Sequence, residues 1–175
     1  TVPGSTNPVA EGDVVKLHEL DLNLNILDVP GHTAGAVAYY NDAMVFSGDT
    51  LFTAGCGRMF EGTPPQMHAS LSKFKTLPDD TLLYCGHEYT VSNLRFAAAV
   101  EPQNEAIQQR LQQAEEARRI DKATVPARLA EEKQTNPFLR CEQQTVIDAA
   151  SQHSGEALAE PAQIFAAIRQ WKDSF

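Results

Sequence analysis

The sequence predicts an α/β protein in which a layered β-sheet is followed by a group of helices. In the first half, short apolar or β-branched runs are bounded by Gly, Pro or Asp, which is the pattern of strands buried in a layered sheet. From Thr90 onward, apolar residues recur at helical spacing and prolines open successive segments. We therefore predict two domains, over residues 1–89 and 90–175.

Length and composition agree with this organisation. The chain has 175 residues, of which 42% are hydrophobic, which is enough for one core with a small additional domain. The formal net charge of −9 argues against nucleic acid and anionic membrane surfaces as partners. No apolar run approaches the length that spans a bilayer. Three cysteines without CxxC spacing favour a reducing compartment, so we expect a cytoplasmic protein.

The strands are predicted to form a meander, a hairpin and a return after one helix. Asn41 and Asp42 turn the hairpin. Met67, Leu71 and Phe74 lie on one stripe of a helix predicted over 64–76, which leads into the last strand. The predicted strands cover residues 14–18, 23–29, 36–40, 44–46 and 82–85.

Four helices are predicted after the sheet. Thr90 is expected to cap the first of them, and Pro102 to open a second that ends near Arg119. Pro126 is expected to start a shorter helix, and Pro161 lies in the first turn of the last one.

The main functional signal is a set of three apolar runs that each end in glycine and a potential metal ligand. These ligands are His32, Asp49 and His87. Glycine lets the backbone turn sharply at a strand end, so the three side chains can emerge at one edge of the sheet. Two imidazoles and one carboxylate suit zinc, iron or manganese, and a carboxylate can bridge two ions. A single match of this kind is more often an ordinary turn residue, but three together favour a hydrolytic metal site.

Two further groups of residues lie near this signal. Arg58 is the cation of a glycine-rich loop, and Arg169 and Lys172 are three apart on the last predicted helix, hence on one face. Taken alone, such cations are more often solvated surface residues. Cys56 lies in the same loop, where a reactive thiol is the less favoured interpretation, and Cys85 is expected to be a core residue.

Eight short phrases along the chain carry a further signal. In the first half they are PGHTAG (30–35), SGDTLF (47–52), GCGRMFEG (55–62) and CGHEYT (85–90). In the second half they are TVP (124–126), LAEE (129–132), NPFLR (136–140) and RQWKD (169–173). In this order they resemble glyoxalase II, the hydroxyacylglutathione hydrolase family of the metallo-β-lactamase superfamily, and the resemblance runs over nearly the whole chain.

The resemblance implies the second half of a metallo-β-lactamase αββα sandwich followed by a C-terminal helical domain. It implies a metal-dependent thioester hydrolase that cleaves S-2-hydroxyacylglutathione, such as S-D-lactoylglutathione, to glutathione and a 2-hydroxy acid, the last step of methylglyoxal detoxification. The resemblance also implies two divalent metal ions, most plainly zinc. His32 would bind one ion, His87 would bind the other, and Asp49 would bridge them. These residues would act in catalysis through a metal-bound hydroxide. The implied contacts to glutathione are Arg58, Phe60, Tyr89, Arg169 and Lys172.

The sequence departs from the family at two places. Phe60 stands where the family often has Tyr, which removes one hydroxyl but leaves a ring that can pack on the ligand. The family's first metal motif, Thr-His-x-His-x-Asp-His, is absent, and the five histidines present do not supply it. We therefore expect the chain to be the C-terminal part of a longer enzyme, inactive alone, with the missing N-terminal segment as its partner.

Two other functions stay open from the sequence. A glutathione persulfide dioxygenase of the same superfamily would use a single iron held by two His and one Asp. A non-catalytic fragment would only bind glutathione or a partner protein. A lactamase-type hydrolase is less favoured, because it leaves the basic cluster unexplained.

Overall fold

The computed structural model describes residues 6–175, so residues 1–5 of the first predicted domain lie outside the described part. Its strands are β1 (Val14–Leu17), β2 (Leu22–Asp28), β3 (Val37–Tyr40), β4 (Met44–Gly48), β5 (Leu51–Phe52), β6 (Gly55–Cys56), β7 (Leu82–Cys85) and β8 (Ala127–Arg128). Its helices are α1 (Pro64–Lys75), α2 (Thr90–Val100), α3 (Glu105–Arg119), α4 (Leu129–Thr135), α5 (Gln144–Ser154) and α6 (Pro161–Ser174). Short 3₁₀ turns occupy His18–Leu20 and Pro137–Leu139.

A six-stranded mixed sheet in the order β1-β2-β3-β4-β7-β8 forms the centre of the molecule. Strands β1 to β4 pair antiparallel, β4 and β7 pair parallel on either side of the α1 crossover, and β8 is antiparallel to β7. Strands β2, β4 and β7 therefore run in the same direction. Their carboxyl ends lie at one edge of the sheet, where the predicted metal ligands follow.

One face of this sheet packs against helices. Val45 and Leu83 are opposite each other in β4 and β7, and both are fully buried. They belong to one hydrophobic cluster with Met67 and Phe74 of α1 and Phe165 of α6. The apolar stripe predicted for α1 is thus the surface that covers the sheet. Burial of these apolar side chains is the main contribution to the stability of the fold.

The other face of the sheet presents aromatic side chains in register. Tyr39, Phe46 and Tyr84 lie side by side on β3, β4 and β7. The rings of Phe46 and Tyr84 stack with centroids 5.2 Å apart, and Phe46 is 38% exposed. This face therefore carries apolar surface that the described helices do not cover.

The predicted strands are all present, but the structure corrects several predictions for the second half. Pro126 does not start a helix, because Ala127 and Arg128 first pair with β7 and the helix begins at Leu129. Two residues of strand are too short to show a period in the sequence. Helix α5 was not predicted at all. Because β8 extends the sheet, the two predicted domains share it, and the boundary near residue 89 stays a prediction.

Two predicted helix starts are also wrong. Tyr89, not Thr90, is the N-cap of α2, and the Thr90 hydroxyl instead lies 2.7 Å from the Thr124 hydroxyl. Helix α3 begins at Glu105 rather than at Pro102, because the side chain of Asn104 accepts hydrogen bonds from the first free backbone N–H groups.

No helix within residues 6–175 combines the length and apolar character needed to cross a bilayer.

Candidate metal centre and substrate cavity

The three predicted ligands are delivered by loops at the same sheet edge. Asp49 follows β4 directly, and His87 follows β7 after Gly86, whose N–H donates to the Gly48 carbonyl at 2.9 Å. That bond joins the two strand ends. A Cβ at Gly86 would lie 2.3 Å from Asp49 Oδ1, so a side chain at this position would displace the carboxylate. Glycine is therefore required for the close approach of these two loops.

The Asp49 carboxylate lies between the two imidazoles. Its Oδ2 is 3.6 Å from His32 Nε2, and its Oδ1 is 3.5 Å from His87 Nε2. The side chains are 22% (His32), 32% (Asp49) and 51% (His87) exposed, so a ligand in solvent can reach them. Each carboxylate oxygen therefore faces a different histidine.

Contacts to neighbouring groups orient both imidazoles. His32 Nδ1 lies 2.8 Å from the Arg58 carbonyl oxygen and donates to it, so Nε2 is the nitrogen that faces Asp49. The His87 ring stacks on Tyr89 with centroids 5.1 Å apart. Both histidines therefore present the nitrogen that a metal ion would bind.

His32, Asp49 and His87 fit two ions that share Asp49 better than a single ion bound by all three residues. Among residues 6–175, no three or more His, Cys, Asp or Glu side chains are arranged to hold one metal ion. A pair of ions would each take one imidazole and one oxygen of Asp49 from this chain. Each would then need further ligands, because structural and catalytic zinc sites use three or four protein ligands.

A cavity of about 550 Å³ opens beside these ligands. Every site residue suggested by the sequence lines it: His32, Asp49, Arg58, Phe60, His87, Tyr89, Arg169 and Lys172. Sequence reasoning missed Phe52, Ser92 and Asn93, which also line the cavity. No sequence signal distinguished them from ordinary core and helix residues.

The cations of the cavity have very different surroundings. The Arg58 side chain is 67% exposed, whereas the Arg169 side chain is 6% exposed. Arg169 donates from Nη1 to the Cys56 carbonyl at 3.0 Å and from Nη2 to Asp173 at 3.1 Å. Both terminal nitrogens of Arg169 are therefore already bound to protein groups.

Lys172 lines the cavity and is half-buried. Its Nζ donates to the Ser92 carbonyl at 3.2 Å and lies 5.1 Å from the centroid of the Phe96 ring. Burial, followed by the positive charge of Arg169, lowers the pKa of Lys172 to about 8. The ammonium is thus charged at neutral pH but close to its titration.

The cysteines have no catalytic surroundings. Cys56 is buried, and burial raises the pKa of its thiol to about 11, so the thiolate that a nucleophile needs is not populated. Cys85 is only partly buried, less than expected for a core residue, and burial raises its pKa as well.

A larger groove of about 1240 Å³ lies elsewhere, between the α2–α3 connection and helices α5 and α6. It contains none of the predicted site residues. Its buried charge, Glu101, already pairs with Arg140 at 2.7 Å. The smaller cavity therefore holds the candidate chemistry.

Fold and site together define a protein of the metallo-β-lactamase class, and comparison with known proteins agrees. Residues 2–87 match the family described as the metallo-beta-lactamase superfamily, and residues 88–175 match hydroxyacylglutathione hydrolase C-terminus. The chain belongs to the hydroxyacylglutathione hydrolase family. The resemblance and the fold class expected from the sequence are thus confirmed.

Individual relatives show the same relationship. A protein named hydroxyacylglutathione hydrolase from Alkalilimnicola ehrlichii is 55% identical over 173 residues, which cover 99% of this chain and 68% of the relative. One from Nitrosomonas eutropha is 51% identical over 174 residues, with 99% and 68% coverage. The solved structure of ETHE1 from Myxococcus xanthus superposes with a TM-score of 0.54 at 26% identity, covering 99% of this chain and 64% of that one. The chain spans about two thirds of the length of these relatives.

Proposed function

We propose that this chain forms the metal-bridging and glutathione-binding part of a thioester hydrolase acting on S-2-hydroxyacylglutathione, such as S-D-lactoylglutathione. The observation that carries the proposal is the position of Asp49, with each carboxylate oxygen about equally far from a different imidazole, 3.6 Å and 3.5 Å away. The cavity beside it is lined by three cations. A metal centre next to a cationic cavity suits hydrolysis of an anionic thioester.

Two divalent ions are proposed, with zinc as the first choice and iron or manganese as suitable alternatives for the same donors. His32 and Asp49 Oδ2 would hold one, and His87 and Asp49 Oδ1 the other. When bound, such ions lower the pKa of water and polarise a carbonyl group. The Arg58 carbonyl keeps His32 in the tautomer that can serve as a ligand.

The rest of the cavity binds and orients the substrate. Arg58 and Lys172 would attract its carboxylates, and the Phe60 ring, 72% exposed and 5.0 Å from the His32 ring, would pack on the ligand beside the metal centre. Tyr89, 49% exposed, presents its ring and hydroxyl at the same opening. These contacts hold the thioester near the metal centre, which is a contribution to proximity.

The proposal predicts how the 175-residue chain behaves alone. Because the described residues supply two ligands to each ion, we expect weak metal binding and no thioester hydrolysis. Adding a separately produced segment that carries the family motif Thr-His-x-His-x-Asp-His should give about two metal ions per complex and hydrolysis of S-D-lactoylglutathione. Asp49→Asn should abolish this gain, whereas Asp148→Asn, on the exposed side of α5, should not.

The outcomes separate the proposal from its alternatives. Glutathione binding without metal or hydrolysis in any mixture would favour a non-catalytic binding protein. One iron per chain with oxygen consumption on glutathione persulfide would favour the dioxygenase. That alternative requires His32, Asp49 and His87 on one ion, and their arrangement around two separate carboxylate oxygens argues against it.

We also propose that the protein works in the cytoplasm. Cys56, Cys85 and Cys141 are all unpaired, as in proteins of reducing compartments. Counting free thiols in freshly isolated protein tests this: three are expected, and a disulfide-linked species would contradict it.

A further inference from the structure

The last turn of α6 carries a carboxylate that touches two of the cavity's cations. Asp173 Oδ1 lies 3.1 Å from Nη2 of Arg169, and the same atom lies 3.3 Å from Nε of Arg58. We infer that Asp173 is a positioning residue that holds the Arg58 guanidinium over the cavity for a carboxylate of the ligand. The inference deepens the proposed function and rests on it.

Arg58 needs such support because its side chain is long and exposed. At 67% exposure it would otherwise move among many rotamers, and ordering it on binding would cost affinity. The Arg58 atom that Asp173 faces is Nε, and within residues 6–175 neither terminal nitrogen of Arg58 donates a hydrogen bond. Those two nitrogens form the planar fork that binds a carboxylate bidentately.

Arg169 is the fixed point of this arrangement. Its side chain is 6% exposed, its Nη1 donates to the Cys56 carbonyl at 3.0 Å, and its guanidinium lies 5.2 Å from the centroid of the Phe138 ring. A buried cation, bound on several sides, therefore contacts Asp173, and Asp173 in turn contacts the exposed cation. The sequence placed Arg169 among the ligand contacts, but its geometry favours this supporting role.

The opposite interpretation is that Asp173 competes with the ligand for the arginines. Asp173 does not line the cavity, and its side chain is 46% exposed. It approaches Arg58 from outside the space that a ligand would fill. The geometry therefore favours support over competition. Removing the Asp173 charge should weaken glutathione binding if Asp173 supports Arg58, and should strengthen it if Asp173 competes with the ligand.

Asp173→Asn tests the inference, because it keeps size and one oxygen but removes the charge. A carboxylate in the last turn of a helix is opposed by the helix dipole, so the variant should fold, and its melting temperature checks this. In isothermal titration of the 175-residue chain we expect glutathione affinity to fall about three- to tenfold. Glu116→Gln, which breaks the exposed Glu116–Arg119 pair on α3, should leave it unchanged. Unchanged or tighter binding by Asp173→Asn would overturn the inference.

A double-mutant cycle distinguishes positioning from a general electrostatic effect. If Asp173 acts through Arg58, Asp173→Asn should have almost no further effect on glutathione affinity in an Arg58→Gln background. An equal effect in both backgrounds would mean that Asp173 acts independently of Arg58, against the inference.

Nuclear magnetic resonance of the arginine Nε–H groups gives a readout that needs no ligand. In Asp173→Asn the Arg58 signal should broaden through exchange with water. The Arg169 signal should persist, because burial shields that Nε from water, although it has no hydrogen-bond partner within residues 6–175. If the unmodified chain binds no glutathione, the proposed function fails, while an unchanged Arg58 signal in Asp173→Asn would by itself refute the positioning role.

Discussion

At the scale of single residues, the site depends on groups whose charge is set by their surroundings. Lys172 is the clearest case, because burial and the nearby Arg169 hold its pKa at about 8 instead of 10.5. Its ammonium attracts an anionic ligand below that pH and is lost above it. The cavity should therefore bind glutathione derivatives less well at mildly alkaline pH.

Titration with S-methylglutathione, which has no free thiol, measures this effect. Between pH 7 and pH 9 we expect affinity to fall as Lys172 loses its proton, and Lys172→Met should bind more weakly with a flatter pH dependence. Lys122→Met, in the connection after α3, serves as control and should keep the pH dependence of the unmodified chain. If the affinity of Lys172→Met still fell with rising pH as in the unmodified chain, the titrating group would be a residue other than Lys172.

The same pKa shift bears on stability. Because the folded-state pKa lies below the unfolded value, folding disfavours the charged ammonium, at full cost below about pH 8 and with none left above 10.5. Lys172→Met should thus raise the melting temperature at pH 7 more than at pH 10. An equal change at both pH values would contradict this charge effect.

At the scale of elements, the parallel pairing of β4 and β7 brings together Asp49 and His87, two of the candidate metal ligands. The loops after these strands approach so closely that a Cβ at Gly86 would meet Asp49 Oδ1 at 2.3 Å, whereas nothing lies within 4 Å of a Cβ at Gly35. Gly86→Ala should therefore displace the carboxylate. Gly35→Ala, in the same kind of loop, should not.

Metal titration of the two alanine variants checks this. We expect Gly86→Ala to lose roughly tenfold or more in zinc affinity, since misplacing groups around a metal commonly has that effect. Gly35→Ala should match the unmodified chain. Equal affinities for both variants would show that Asp49 does not hold the metal.

At the scale of the whole molecule, a buried polar network joins the helical half to the loops of the site. Glu132 of α4 is fully buried, and it accepts hydrogen bonds from the Ala54 N–H at 2.7 Å and from Arg110 Nη2 at 2.5 Å. The side-chain amide of Asn136 also donates a hydrogen bond to the Gly55 carbonyl at 3.0 Å. This network anchors the β5–β6 turn that precedes Arg58.

Replacing Glu132 should destabilise the fold more than breaking an exposed pair. Glu132→Gln leaves the Arg110 cation without its counter-charge in a buried site, so we expect a loss of about 3 kcal/mol in the free energy of unfolding. Glu115→Gln, which breaks the exposed pair with Arg95, should cost less than about 1 kcal/mol. Urea unfolding measures both, and similar losses would contradict the assigned role of the network.

The uncovered sheet face is also a property of the whole molecule. Tyr39, Phe46 and Tyr84 form an apolar row there. The 175-residue chain should therefore bind a dye that fluoresces on apolar surfaces, and Phe46→Lys should weaken that binding. Gln152→Lys, at an exposed position of α5, should leave the dye signal unchanged. Absence of dye binding by the unmodified chain would contradict an uncovered apolar face.

The sequence alone predicted strands β1 to β4 and β7, the helix α1 and the convergence of His32, Asp49 and His87 at one edge of the sheet. Each of these is marked by a local pattern: an apolar run, a 3.6-residue stripe, or a glycine and a ligand at a strand end. The roles assigned to His32, Asp49, His87 and the cations remain predictions, although these residues do lie together.

Only the tertiary structure decided how these residues relate to one another. It divided the Asp49 oxygens between two histidines, turned Arg169 inward to Cys56 and Asp173, placed β8 in the sheet, and joined Glu132 to Ala54. These contacts connect residues far apart along the chain, so no local period records them. They depend on which elements pack together, and burial of the common core determines that.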